Sequence, residues 1–280
     1  MRYEILGPLR VKTDDGTTAI AARKSEMILT TLLARYDQVV SVGQLVDEIW
    51  GEDIPRRATA GLHVHISQLR KLLKRGGRAA APILTQSPGY LLELGNDEFD
   101  LLDFQRLSQE GREHHRAGDH HQAVEQLQAA LALWRGKVPD FADPGPIIGG
   151  FLSWLSECRM ESIDAFVSST MNLNGHAEMI GFLYAMIAEY PLHESFYQQL
   201  MVALYRSDRR ADALRVYNEA RATLRGELGL DPNPALRMLQ ARILNGDTEA
   251  TDPTAAPSLH ARRVRTHTFS RHGMTVRRVV

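Results

Sequence analysis

Residues 55–78 read PRRATAGLHVHISQLRKLLKRGGR, and they are the strongest indication of the fold in this sequence. It carries seven Lys or Arg side chains and no Asp or Glu, in a chain whose formal net charge is -1. Its apolar spacing predicts a helix, because Ile66, Leu69 and Leu73 lie within about 40° of Leu62 on a helical wheel. Cations gathered on such a helix indicate a partner that is a polyanion. The plain alternative is a solvated basic surface on an ordinary helix.

The side of this helix opposite the apolar stripe mixes cations with short polar groups and one apolar residue. That mixture suits double-stranded DNA, because cations neutralise phosphates while short polar or apolar groups contact base edges in the major groove. We expect Lys71 and Arg75 to position the helix, and Gln68 and Val64 to specify the base sequence. The full outward set is Val64, Ser67, Gln68, Lys71, Lys74 and Arg75.

The flanking sequence predicts the other parts of a winged helix-turn-helix domain. Residues 83–94 (ILTQSPGYLLEL) are two apolar runs around a Ser-Pro-Gly turn, which predicts a hairpin after the basic helix. Ser41 and Gln44 have the spacing of a capping box, so a helix is expected to begin after Ser41. The predicted order is a leading sheet (2–12 and 17–21), helices at 23–34, 42–50 and 55–78, and the hairpin.

Charge divides the chain into three parts. Residues 1–95 hold 13 basic and 10 acidic side chains, a net of +3, whereas residues 96–250 hold 14 and 23, a net of -9. Residues 251–280 hold 6 and 1, a net of +5. The sequence therefore predicts a DNA-binding domain over 1–95, an acidic helical domain over 96–245 and a basic disordered tail over 246–280. The tail is either a source of nonspecific DNA affinity or inert.

The acidic region contains an internal repeat. RAGDHHQAVEQLQAAL from Arg116 and RSDRRADALRVYNEAR from Arg206 superimpose at an offset of 90 residues, and a weaker copy begins at Leu173. Gly118 and Gly175 are expected at the turns between helices, with Asp208 in the equivalent place of the third copy. The pattern resembles tetratricopeptide repeats, which are stacked helical hairpins, and a generic helical bundle is the alternative. The predicted fold class is thus mostly α with small β elements.

Three segments resemble the winged helix domain of OmpR-type response regulators, here expected without a receiver domain before it. They are SVGQLVDEIWG (41–51), LHVHISQLRKLL (62–73) and TQSPGYLLEL (85–94). Ser67 and Gln68 depart from the family, whose members often carry Arg there, and Ser-Pro replaces a Gly-containing wing tip. The resemblance implies base contacts by Val64, His65 and Gln68, phosphate contacts by Ser67 and Trp50, and wing contacts by Thr85 and Gln86.

The predicted DNA-binding set also includes three further cations and one histidine for which two roles are open. The cations Arg56, Arg57 and Lys74 complete it, because they belong to the same basic stretch. His65 lies at about 300° on the wheel, at the edge of the apolar stripe. A half-buried, hydrogen-bonded histidine is therefore an alternative to a DNA contact at that position.

LALWRG (131–136) and the segment 189–244, which includes ELGLDPNPALRML (227–239), resemble the bacterial transcriptional activator domain. Because the OmpR-type winged helix precedes this domain, the chain resembles the Streptomyces antibiotic regulatory protein family. The resemblance implies a pathway-specific activator of a biosynthetic gene cluster that binds direct repeats near the -35 element. Implied partners are promoter DNA, RNA polymerase holoenzyme through its sigma factor and alpha subunit, and a second copy on DNA. A repressor and a helical-repeat adaptor are the alternatives.

Other site types are not expected. The adjacent pairs His114-His115 and His120-His121 point about 100° apart on a helix and lack zinc-ligand spacing. Cys158 is the single cysteine, and its apolar neighbours favour a packing role. No Gly-rich nucleotide motif occurs, so we expect no enzyme, cofactor or metal. Without a signal peptide or a long apolar run, the protein is expected in the cytoplasm and not in a membrane.

Overall fold

The computed structural model forms two compact units that divide after Gly175. The predicted boundary at residue 95 lies inside the first unit, and a division of the chain there stays a prediction. Residues 75–78 of the basic stretch, including Arg75, and the tail from 247 onward lie outside the described residues. The structure describes residues 1–13, 16–20, 22–74, 81–139 and 141–246.

The first unit opens with a four-stranded sheet in the order β3-β2-β1-β7. The first three strands fulfil the predicted leading sheet, but β7 was not predicted. It pairs parallel with β1 in the register Tyr3 to Phe99, and both side chains are buried. Pairing across nearly a hundred residues leaves no local signal in the sequence. The strands are β1 (Arg2–Glu4), β2 (Arg10–Thr13), β3 (Gly16–Ala19) and β7 (Glu98–Phe99).

Three helices and a hairpin follow the predicted order. The capping box is confirmed, because the Ser41 hydroxyl accepts from the Gln44 N–H at 3.2 Å and the Gln44 side chain accepts from the Ser41 N–H at 3.0 Å. The third helix is shorter than predicted at its start, because Pro55, Arg56 and Arg57 form a turn before it. The elements are α1 (Arg23–Ala34), β4 (Val40–Ser41), α2 (Val42–Trp50), α3 (Ala58–Leu73), β5 (Ile83–Gln86) and β6 (Gly89–Leu92).

Three further helices complete the first unit, α4 (Asp100–Ala117), α5 (His120–Ala132) and α6 (Pro146–Asn172). Two buried carboxylates hold them against the preceding elements. Asp100 accepts the N–H groups of Ile5 and Leu6 at 2.9 and 3.1 Å. Glu48 in α2 accepts those of Ile147 and Ile148, in the first turn of α6, at 2.5 and 3.1 Å. A negative charge stabilises a helix at that end, so Glu48 acts as a cap supplied from another element.

The second unit contains α7 (His176–Glu189), α8 (Glu194–Arg206), α9 (Arg210–Leu228) and α10 (Pro234–Asn245), each packed on its neighbour in the chain. The left-handed turns predicted from the repeat are present at Gly118 (φ 79°) and Asp208 (φ 58°). In the middle copy the left-handed residue is Asn174 (φ 63°) rather than Gly175. Asn tolerates this backbone better than most residues with a side chain, so the turn shifts by one position. Ala123 and Ala130 in the first copy of the repeat, and their counterparts Ala213 and Ala220 in the third, are fully buried.

Candidate nucleic-acid interface

The two faces of α3 separate as the helical wheel predicts. Leu62, Ile66, Leu69 and Leu73 are at most 2% exposed and belong to the core of the first unit. On the opposite side Val64 is 55% exposed. Ser67, Gln68, Lys71 and Lys74 are also exposed. The helix is therefore held by one side and presents the other to a partner.

Four cations on this surface have no acidic partner among the residues that the structure describes. Arg56 and Arg57 are exposed immediately before α3, Lys71 is exposed on its last turn, and Lys74 is exposed immediately after it. Within the described part of the chain, none of the four has an acidic side chain within 4 Å. An exposed cation without an ion-pair partner is free to replace a counterion on a phosphate.

Arg70 has a different role from the other cations of the basic stretch. Its Nε donates to the Ile83 carbonyl oxygen at 2.8 Å, its Nη2 donates to the Thr85 hydroxyl at 2.8 Å, and its guanidinium lies 5.6 Å from the centre of the Tyr90 ring. These contacts tie the hairpin to α3. The sequence signal that could have indicated this role is the position of Arg70 on the helical wheel, about 80° from Leu62 and so on the flank of the apolar stripe.

The hairpin itself presents an exposed edge beside α3. Thr85 and Gln86, the predicted wing contacts, are exposed on β5 and precede the turn at Ser87-Pro88. Gly89 begins β6 and pairs antiparallel with Ser41 of β4, and a Cβ placed there would lie 1.9 Å from the Val40 carbonyl oxygen. Only glycine allows this approach. The wing therefore projects from a fixed base made by β4 and β6.

His65 and Trp50 are half-buried on the other flank of α3. The His65 Nδ1 lies 3.0 Å from the Ser25 hydroxyl, and burial together with the nearby charge of Lys24 lowers its pKa. The structure thus has the hydrogen-bonded histidine that was the alternative to a DNA contact. Trp50 lies under Lys24, whose Nζ is 4.7 Å from the ring centre. Lys24 lies on α1, outside the basic stretch, so the charge pattern of that stretch gave no signal for it.

The predicted site residues that the structure describes fall on three adjoining elements: the end of α2 with its loop, α3, and the wing. Their exposed side chains supply phosphate neutralisers at the margins and polar or apolar groups on the outer face of α3. This distribution matches the division of labour in duplex recognition, in which backbone contacts position and base contacts specify. The DNA-contacting role of each residue remains a prediction.

His114 and His115 make structural contacts, and Cys158 packs against the core of the first unit. His115 Nδ1 lies 2.8 Å from the Ser169 hydroxyl, and His114 Nδ1 lies 3.4 Å from Asp119. Among the residues the structure describes, no three His, Cys, Asp or Glu side chains form a group able to hold a metal ion. Burial raises the pKa of the Cys158 thiol to about 11. In the same part of the chain no helix combines the length and apolarity that crossing a bilayer requires.

Comparison with known families gives two matches that follow one another along the chain. The family described as "Transcriptional regulatory protein, C terminal" matches residues 16–92, and the family described as "Bacterial transcriptional activator domain" matches residues 99–244. The first match contains α1 to α3 and the wing. The second begins at Phe99 and contains the helices that follow.

Several known proteins are similar over most of the chain. Regulatory protein DnrI of Streptomyces peucetius is 32% identical over 88% of this chain and 93% of its own length. Transcriptional regulator RedD of Streptomyces coelicolor is 35% identical over 91% of this chain and 73% of its own. Regulatory protein AfsR of Streptomyces griseus is 34% identical, but the chain spans only 26% of its length. A second AfsR, from Streptomyces coelicolor, is likewise covered over 25% of its length.

A solved structure is also similar. It is that of Mycobacterium tuberculosis EmbR in complex with a low-affinity phosphopeptide, which matches with a TM-score of 0.77 and 32% identity. The match covers 88% of this chain and 65% of that one.

Proposed function

The chain belongs to the Streptomyces antibiotic regulatory protein family of transcriptional regulators, and from that premise we propose how it acts on DNA. It binds direct repeats near the -35 element of promoters in a biosynthetic gene cluster, and there recruits RNA polymerase. The observation that carries the proposal is the outer face of α3, where Val64 and Gln68 are exposed among cations that have no ion-pair partner in the described part of the chain. Such a surface is suited to entering a major groove.

Affinity in this proposal comes chiefly from phosphate neutralisation. If about six phosphates are neutralised, the plot of log affinity against log salt has a slope near -5. The described cations Arg56, Arg57, Lys71 and Lys74 supply much of that charge. Arg70 contributes indirectly, because it holds the wing in place through the Ile83 carbonyl and Thr85 hydroxyl.

Sequence preference is assigned to the outer face of α3. Gln68 carries an amide that can both donate and accept, as adenine recognition in the major groove requires, and Val64 offers methyl groups to a thymine methyl. The structure gives both side chains open access to solvent. Replacing Gln68 with Ala should therefore relax preference at one base step.

The acidic helical region is proposed to act on proteins. Its net charge disfavours close contact with a duplex, so its tasks are contact with the sigma factor or alpha subunit of the polymerase and with a second copy on adjacent repeats. The position of the site separates activation from repression, since an upstream site abutting -35 permits recruitment whereas overlap with the start point blocks it.

The test is footprinting and gel-shift analysis on promoters from the gene neighbourhood of this chain, at about 150 mM salt, where nonspecific contacts fade. Lys71→Ala should weaken binding to every sequence alike, whereas Gln68→Ala should alter base preference. Lys12→Ala is a matched control, because Lys12 lies on β2 and pairs with Glu4 at 2.8 Å. Absence of a footprint on every such promoter would refute the proposal and favour a protein-binding adaptor.

A further inference from the structure

We infer that Lys24, at the start of α1, binds a DNA phosphate on the strand opposite the one contacted by the wing. The inference rests on the proposed function, because it extends the same interface to an element outside the basic stretch. Lys24 is exposed, and within the described residues no acidic side chain lies within 4 Å of its amine. The neighbouring acid, Glu26, interacts electrostatically with Arg23 instead.

Two contacts place the first turn of α1 against the interface. The Ser25 hydroxyl lies 3.0 Å from Nδ1 of His65 on α3, and the amine of Lys24 lies over the Trp50 ring at 4.7 Å from its centre. Ser25 and Ala22 also line one side of a depression of about 130 Å³, and Gln68 lines the other. The start of α1 is therefore a direct neighbour of side chains on the outer part of α3.

The side of α3 on which Lys24 lies is fixed by the wheel. His65, which meets α1, lies about 60° to one side of Leu62, whereas Arg70, which holds the wing, lies about 80° to the other. The first turn of α1 and the wing thus flank α3 on opposite sides. A helix in a major groove about 12 Å wide has one phosphate strand on each side. The wing adjoins one strand, and Lys24 adjoins the other.

The Trp50 ring prepares Lys24 for this contact. Lys has a long flexible side chain, and ordering it on binding costs conformational entropy. A cation over an indole face is attracted by the ring, so the amine is already held near the interface before DNA arrives. The charge of Lys24 also reaches α3: burial is the main cause of the lowered pKa of His65, and the charge of Lys24 is the next.

The experiment measures affinity against salt concentration for Lys24→Gln, using an operator fragment found by footprinting and a random duplex of about 30 base pairs. One lost phosphate contact should make the log-log slope shallower by about 0.9, so the ratio of wild-type to variant affinity narrows about threefold between about 50 and about 200 mM salt. Both duplexes should lose affinity by the same factor, because a phosphate contact carries no sequence information. Lys24→Arg should retain the wild-type slope.

Controls separate failure of this inference from failure of the proposed function. Lys12→Gln makes the same charge change on β2, where Lys12 is paired with Glu4, and should leave the slope unchanged. Lys71→Gln tests α3 itself. If Lys71→Gln flattens the slope and Lys24→Gln does not, the inference is wrong and the interface stands. If neither changes it, the interface fails as well. A change in the ratio between operator and random duplex for Lys24→Gln would also overturn a phosphate role.

Discussion

Replacing Glu48 with Ala should lower the free energy of unfolding of the first compact unit by about 2–4 kcal/mol. Glu48 is 1% exposed and accepts two backbone N–H groups at the start of α6. Hydrogen bonds to a charged acceptor contribute about 1.5–3 kcal/mol each, so the two together contribute about 3–6 kcal/mol. The cost of keeping the carboxylate from water offsets part of this, and the same burial raises the pKa of Glu48. Alanine leaves both donors without an acceptor.

Urea unfolding followed by tryptophan fluorescence measures the effect in the correct unit. All three tryptophans, Trp50, Trp134 and Trp154, lie before the division at Gly175. Glu48→Gln keeps one acceptor oxygen and should lose about half as much stability, since its amide N–H₂ opposes the second donor. Glu52→Ala is the matched control, because Glu52 is exposed just beyond α2. A Glu48→Ala midpoint no lower than that of Glu52→Ala would refute the assigned role of the carboxylate.

Three further outcomes are expected. Burial raises the pKa of Glu48, so as pH falls the folded state binds a proton before the unfolded state does. The stability of the wild type relative to Glu48→Gln should therefore increase as pH is lowered from about 7 to about 5. Urea midpoints with the opposite trend would contradict this. Gly89→Ala should disrupt the pairing of β4 with β6 and lower the free energy of unfolding, measured in urea, by at least about 2 kcal/mol. Gly43→Ala is the control: the nearest atom to its added Cβ is 3.9 Å away, so stability should be unchanged or increased. Cys158, whose pKa is raised to about 11 by burial, should react with a thiol reagent at pH 8 far more slowly in the native protein than in urea, and equal rates would show that the thiol is accessible.

The parts of the fold that follow local rules were predictable from the sequence. The capping box at Ser41, the buried stripe from Leu62 to Leu73 and the hairpin around Ser87-Pro88 each depend on residues only a few positions apart. The start of α3 was misplaced by three residues, because the cations that favour a DNA contact continue into the turn before the helix. A charge pattern indicates which surface is exposed to a partner, but it does not indicate the residue at which the backbone becomes helical.

What the sequence did not reveal depends on distant partners. Arg70 was counted only as one of the seven cations of the basic stretch, yet its guanidinium holds a strand thirteen residues away. Lys24 was passed over, since a lone cation on α1 has no pattern until Trp50 is placed beneath it. Glu48 and Asp100 looked like ordinary acidic residues on helices. Only the folded chain shows that each meets backbone donors about a hundred residues away in the sequence.

These long-range carboxylates explain why the two matched families do not correspond to two compact units. The family boundary falls between residues 92 and 99, but β7 then adds a strand to the leading sheet and Asp100 binds the N–H groups of Ile5 and Leu6. Glu48, on the helix that precedes α3, caps α6. Separating the winged helix domain from α4 to α6 would expose both carboxylates to water and break the four hydrogen bonds that they accept, so each piece would be less stable alone. The outer face of α3 is therefore fixed relative to α6, so in the proposed complex DNA bound on α3 would determine where α6 lies along the duplex.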